Sequence, residues 1–391
     1  MTSFEPPTPN RRSRGRASRR RLFLPVMLVG LVAAAAIGAG AWLVLSDDEG
    51  RGEGGPAPQT LKKATWADRS LPEKDLFPKY RDLGIGIYQT HALWDRLAPT
   101  RPAKPRNPDD PAYVWEELDQ EVAEAEGHGM EVTLMMIGTP EWANGGREWR
   151  WTPNDPSDYA DFATALSRRY PSVDLFMVWG EPNREPNFGP FTGAPKTDDT
   201  ELTLEQQRAP RKYAQLLDAA YGALKADDRD NLVIGGNTML GAGQEVIRPY
   251  QWIRYMELPD GSRPRMDMYG HNPHPTRLPD FSNPPSPKGR ADFSDLRRLA
   301  ERLDATFPGP PLKLFLSEFG IPTGRDLDLE YEVDPKAALK WWRAAIKLTG
   351  EWDRIYTLGL GIPVDSDRNP IGVMDRKGRP KPGIYQAFKH G

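Results

Sequence analysis

The 391-residue chain contains no cysteine. Disulfide cross-links and thiolate chemistry are therefore excluded, and stability must come from the hydrophobic core. An excess of charge is also missing. The net value of −3 gives no electrostatic reason to expect a nucleic-acid partner. No glycine-rich phosphate turn follows the first predicted strand, which argues against a doubly wound dinucleotide-binding sheet. No internal repeat is evident beyond a recurring strand–helix unit. Between Leu22 and Ser46 charged residues are absent altogether. At ~1.5 Å per residue, that stretch is long enough to cross a hydrocarbon layer about 30 Å thick.

Arginine is concentrated just before this stretch, at Arg11, Arg12, Arg14, Arg16, Arg19, Arg20 and Arg21. The positive-inside rule then places the start of the chain in the cytoplasm and the remainder outside. Residues 1–21 are expected to form a disordered basic tail, 22–46 a transmembrane anchor, 47–60 a flexible Gly/Pro-rich linker, and 61–391 the folded domain. A cleaved signal peptide is the competing reading, because Ala39-Gly40-Ala41 offers small residues. The apolar run continues through Trp42-Leu43-Val44-Leu45, which favours the anchor. Either reading exports the domain.

From Leu61 onward two periodicities alternate. Short apolar runs predict strands at 64–66, 85–88, 132–137, 175–178, 232–234, 266–269, 314–316 and 355–358. Helical stripes lie between them. Trp115, Leu118, Val122 and Ala125 form one, and Tyr159, Phe162, Leu166 and Tyr170 a second, after the cap-like Asp155-Pro156. Tyr213, Leu216, Ala220 and Leu224 form a third, Phe293, Leu296, Leu299 and Leu303 a fourth, and Leu339, Trp342 and Ile346 a fifth. Weaker helices are expected near 73–83, 246–257 and 382–389. Eight such units in succession predict an α/β fold, a (β/α)8 barrel. The strand-to-helix connections are the long ones, as expected if that face carries a site.

Two glutamates occupy matching places on that face. Glu181 follows the strand at 175–178 in Val178-Trp179-Gly180-Glu181-Pro182-Asn183, and Glu318 ends the seventh strand in Leu316-Ser317-Glu318-Phe319-Gly320. A carboxylate at the end of a buried strand is costly unless it is paired or does chemistry. Glycosidic hydrolysis needs an acid for the leaving oxygen and a second carboxylate to attack carbon or activate water, and two facing glutamates supply both. The bland alternative is that each caps a helix or pairs with an arginine.

These two segments resemble those of clan A glycoside hydrolases, with the greatest likeness to the family 39 β-xylosidase-like and cellulase-like branches. Gly138-Thr139-Pro140-Glu141-Trp142-Ala143, Gly270-His271-Asn272-Pro273-His274 and Lys381-Pro382-Gly383-Ile384-Tyr385 resemble that group as well. The resemblance covers roughly residues 61–390. It implies a TIM-barrel glycosidase acting by retaining double displacement, with Glu181 as acid/base, Glu318 as nucleophile and no cofactor. The clan's usual Asn before the acid/base is Gly180 here, so Asn183 or another donor is expected to meet the sugar. His274 stands where a Tyr is usual, and the eighth strand lacks a Trp that often floors the sugar site.

Trp94, Trp142, Asn183, His271, Asn272 and His274 are the candidate substrate-binding residues. Trp142, Trp149 and Trp151, with Arg147 and Arg150 between them, form either a sugar platform or a loop folded over its own aromatics. His271 and His274 have a metal-like spacing but no evident third ligand, so no metal is expected. Asp365, Asp367 and Arg368 lie in the last long loop, where solvation is the default. Taken together, the sequence predicts a monomeric, membrane-anchored, extracytoplasmic enzyme acting on an envelope or extracellular polysaccharide. An inert carbohydrate-binding barrel and a transglycosylase remain the alternatives.

Overall fold

The computed structural model describes residues 61–67, 75–195, 197–198, 200–241 and 245–391. The expected basic tail, anchor and linker (1–60) lie outside them. Among the described residues no helix is long and apolar enough to cross a membrane.

Eight strands close a parallel barrel in sequence order: β1 Lys62–Trp66, β2 Ile87–Leu93, β3 Glu131–Ile137, β4 Leu175–Val178, β5 Leu232–Met239, β6 Met268–Asn272, β7 Lys313–Phe319 and β8 Ile355–Leu360. β1 pairs with both β2 and β8, which completes the ring. The helices described are α1 Phe77–Asp82, α2 Trp94–Leu97, α3 Glu116–Gly127, α4 Glu141–Asn144, α5 Pro156–Arg169, α6 Arg208–Asp227, α7 Pro249–Tyr255, α8 Leu296–Thr306, α9 Pro335–Gly350 and α10 Ile384–His390. All eight predicted strands and all eight predicted helices are present. The four-residue α2 and α4 are too short to show a helical period.

Local chemistry accounts for several element starts. Asp155 accepts from Ser157 N at the start of α5, with Pro156 in the first turn. Asp334 does the same for Lys336 and Ala337 ahead of α9. Such caps satisfy amides that have no partner within the helix. Strands covered on both faces carry continuous apolar runs, as in the fully buried Leu175-Phe176-Met177-Val178 of β4.

Two buried tyrosines lock helices onto strand ends. Tyr159 of α5 donates to Met136 O of β3 at 2.7 Å. Tyr213 of α6 donates to Val178 O and accepts from Gly236 N, both at 2.8 Å. Tyr213 thus ties the end of β4 to β5 where the β5–β6 register shifts, between Gly235 and Thr238.

Four strands run on past their apolar runs into polar residues. β2 continues through Gln89-Thr90-His91, β5 through Gly236-Asn237-Thr238, β6 through Gly270-His271-Asn272, and β7 through Ser317-Glu318. Their C-terminal halves are polar, so an apolar-run criterion ends them early. The same halves line the end of the barrel where the two glutamates sit.

Candidate active site

Glu181 stands three residues beyond β4, and Glu318 is the penultimate residue of β7. In a parallel barrel both belong to the C-terminal rim. The backbone bends sharply to place Glu181. Trp179 and Glu181 have φ of 66° and 44°, and neighbouring Asn237 has φ 43°. These left-handed conformations cost roughly 1–3 kcal/mol each and persist only when the surroundings hold them. Here Glu181 N donates to Asn237 O at 3.1 Å, and Trp179 N donates to Met136 O at 3.0 Å.

Both oxygens of Glu181 accept hydrogen bonds. Asn272 Nδ2 donates to Oε1 at 3.0 Å, and Arg184 Nη1 donates to Oε2 at 2.7 Å. The Ser317 hydroxyl lies 2.7 Å from Asn272 Oδ1 and 2.8 Å from Asn237 Oδ1. Gln89 Nε2 donates across the barrel to Ser317 O at 3.0 Å. A buried polar network therefore runs from β2 through β7, β5 and β6 to Glu181. Networks of this kind rigidify a site when their members are satisfied.

Glu318 has a different environment. Among the described residues no hydrogen-bond donor reaches its carboxyl group, which is only partly exposed. Burial, reinforced by the Glu181 charge and opposed by Arg184, pushes its pKa up to about 8. At the end of β8, a Cβ at Gly361 would sit 3.4 Å from Glu318 Oε2. Glycine leaves that side of the carboxyl group open.

The two histidines are buried at the rim, His271 near the end of β6 and His274 just beyond it. His271 Nε2 donates to Ala291 O at 2.8 Å, which leaves Nδ1 to accept from the Thr238 hydroxyl at 2.9 Å. Burial lowers its pKa to about 4, so the ring is neutral at ordinary pH. His274 Nδ1 donates to Gly320 O at 3.4 Å, and burial lowers its pKa as well. Each ring thus reaches the end of a neighbouring element and helps to fix the floor of the site.

Two expected sugar contacts need correction. Asn183 is wholly buried, with Nδ2 donating to Met239 O and Ile247 O and Oδ1 accepting from Met239 N, each at 2.9 Å. It joins the loop after β4 to the segment after β5 and, wholly buried, is out of reach of a sugar. Trp94 is also buried, stacked on Phe162 and met edge-on by Trp142 and Tyr159. Neither of its faces is open. Trp142 is partly buried; its Nε1 donates to Ala98 O and the Arg101 guanidinium lies 4.6 Å from its ring centre. Trp151 packs against Gly189 and lies under Arg147 and Arg150, so much of this loop covers its own aromatics. Trp149 remains 43% exposed.

Sequence reading missed Gln89, Arg184, Asn187, Asn237, Ser317 and Asp328. Arg184 carried a signal, since it follows Glu181 at i+3; Asp328 carried none. Asp328 is held by both Arg368 and Asn369 and interacts electrostatically with Arg184. Asp365 pairs with Lys381 at 2.7 Å. The last long loop is therefore bonded to itself through Asp365 and Lys381, and to the loop after β7 through Arg368 and Asn369. A cavity of about 1130 Å3 is lined by Arg184, Glu185, Met239, Thr276, Asp328 and Trp341 among others, and by neither glutamate. Arg184 is the residue that touches both this cavity and Glu181.

No family model and no curated protein matches the sequence. Solved structures do match. A monomeric β-xylosidase from Caulobacter crescentus CB15 superposes with a TM-score of 0.57 at 20% identity, covering 86% of this chain and 68% of that one. The GH39 enzyme from Xanthomonas axonopodis pv. citri gives 0.55 at 19% identity, with 86% and 67% covered. A β-glucosidase from Thermotoga maritima gives 0.56 at 11% identity, with 82% and 86% covered. The chain spans about two thirds of the length of the first two. At these identities the similarity shows the fold, an eight-stranded parallel barrel shared with glycosidases.

Proposed function

We propose that the chain is a glycoside hydrolase that cleaves O-glycosidic bonds by retaining double displacement. Glu318 attacks the anomeric carbon while Glu181 protonates the departing oxygen. Glu181 then takes a proton from water, and that water's oxygen displaces the sugar from Glu318. The reading rests chiefly on one observation: two carboxyl groups, from the ends of β4 and β7, interact at one barrel rim above a hydrogen-bonded polar floor. Asn272 orients Glu181, and its own oxygen is fixed by Ser317. Glycosidase neighbours with the same fold agree with this chemistry without identifying the sugar.

Location and substrate belong to the same proposal. The Arg block and the uncharged 22–46 stretch support a membrane-anchored, extracytoplasmic enzyme, which an envelope or extracellular polysaccharide would suit as substrate; that it is monomeric is part of the proposal. The test is turnover of a panel of activated aryl glycosides, furanosides included. The parent should turn over at least one, and Glu318→Gln should lose that activity. A chain inactive on the whole panel, or an active Glu318→Gln, would refute the proposal.

One observation favours a second reading. With Arg184 on one oxygen of Glu181 and Asn272 on the other, the barrel could bind carbohydrate without cleaving it. That reading predicts ligand binding that survives Glu318→Ala, with no turnover in parent or variant.

A further inference from the structure

The proposed reaction needs a proton on Glu181, yet the geometry of the free chain opposes one there. Both Glu181 oxygens are acceptors, one of them for a guanidinium at 2.7 Å. Charge-assisted bonds of this kind favour the carboxylate over the acid. Glu318, which meets no donor among the described residues, is the natural holder of the pair's proton. In the resting arrangement, therefore, the donors hold the glutamate that must act as the acid and leave the other without one among the described residues.

Arg184 is placed to reverse this. It sits on the three-residue turn after Glu181, is 27% exposed by its side chain, and lines the cavity of about 1130 Å3. Two further carboxyl groups, Asp328 and Glu318, attract its charge. Asp328 lines the same cavity and is pinned by Arg368 at 2.6 Å, so it offers a fixed second pole. The other groups facing Glu181 are Asn187 from its own loop, Asn272 with the neutral His271 and His274 from β6 and the loop after it, and Glu318 from β7. Among these, Arg184 is the cation.

Resting on the glycosidase reading, we propose that Arg184 is a positioning residue that sits on Glu181 in the substrate-free chain and must swing toward Asp328 before Glu181 becomes the acid. When the guanidinium leaves, the single proton of the pair passes from Glu318 to Glu181. No other reactant is consumed. Glu318 becomes the carboxylate that attacks, and the vacated side of Glu181 Oε2 receives the leaving-group oxygen. The entering substrate, by bringing its leaving-group oxygen against Glu181 Oε2, supplies the displacement.

The experiment compares the parent with Arg184→Gln and Arg184→Lys in two measurements. The first is the pH dependence of kcat and kcat/KM on an activated aryl glycoside. The alkaline limb of kcat/KM reports the free enzyme, and that of kcat reports the complex. In the parent the first limb should lie below the second by about one pH unit or more. Arg184→Gln should bring the two limbs together, and Arg184→Lys should keep them apart. Coincident limbs in the parent, or a gap that survives Arg184→Gln, would overturn the proposal.

The second measurement follows the glutamate carboxyl carbons by NMR titration and needs no turnover. The lower ionisation of the pair should rise by about one pH unit in Arg184→Gln. An unmoved ionisation overturns the role of Arg184 whether or not the chain cleaves a glycoside. Inactivity toward all glycosides counts against the catalytic reading alone. Should Arg184→Gln fail to fold, Asp328→Asn probes the same movement from its other end: it removes the charge toward which Arg184 moves and should narrow the gap between the limbs; an unchanged gap would count against the proposal.

Discussion

At the scale of single residues, the clearest contrast is between Glu318 and Asn183. Glu318 is held without a donor among the described residues, and burial raises its pKa to about 8. A carboxyl group whose folded pKa is raised favours the fold while it is protonated in both states. That contribution is complete below the unfolded glutamate value and is lost as pH rises from there toward about 8. Glu318→Gln should therefore raise stability at neutral pH by roughly 1–2 kcal/mol, with the advantage gone in acid, as thermal unfolding across pH would read. An equal gain at every pH would show that the carboxyl group is not strained by its surroundings. Asn183 should behave in the opposite way. Its truncation to Ala removes three buried hydrogen bonds and should cost roughly 2–3 kcal/mol of stability. If Asn183 met the sugar instead, Asn183→Ala would raise KM and leave unfolding unchanged.

At the scale of elements, the strand ends explain what the sequence could and could not tell. Periodicity located all eight strands because a parallel barrel buries both faces of each strand, and Asp155-Pro156 marked the start of α5. The boundaries failed at Gln89-Thr90-His91, Gly236-Asn237-Thr238 and Ser317-Glu318, where the strands turn polar to build the site. Glu181 and Glu318 were legible because charge at a strand end is conspicuous. Trp94 and Asn183 were misassigned because an aromatic or an amide beside a site reads alike whether it faces a ligand or holds the frame.

Gly180 illustrates how packing decides such questions. A Cβ there would lie 2.9 Å from both Met135 Sδ and Met135 Cε, so the place of the missing side chain is already filled from β3. Gly180→Asn should cost about 1–3 kcal/mol through overpacking, read by chemical denaturation, and Met135→Ala in the same chain should recover part of that loss. Additive losses in the double variant would show that the two residues do not compete for the same space.

At the scale of the whole molecule, the barrel places the carboxyl pair over a polar network anchored in four strands, β2, β5, β6 and β7. The N-terminal segment is a separate matter. If 22–46 is an anchor, the full chain should fractionate with membranes, and a chain lacking residues 1–46 should be released with its turnover unchanged. A full chain recovered entirely in the soluble fraction would contradict the anchor.

The account as a whole depends on Glu318 forming a bond to the sugar while Glu181 manages the proton. The most direct measurement is the intact mass of Glu181→Ala during reaction with an activated aryl glycoside, followed by peptide mapping. The account predicts that the chain accumulates one glycosyl residue, carried on Glu318, because the step that releases it lacks its base. No adduct with inverted product, or an adduct formed elsewhere in the chain, would contradict it.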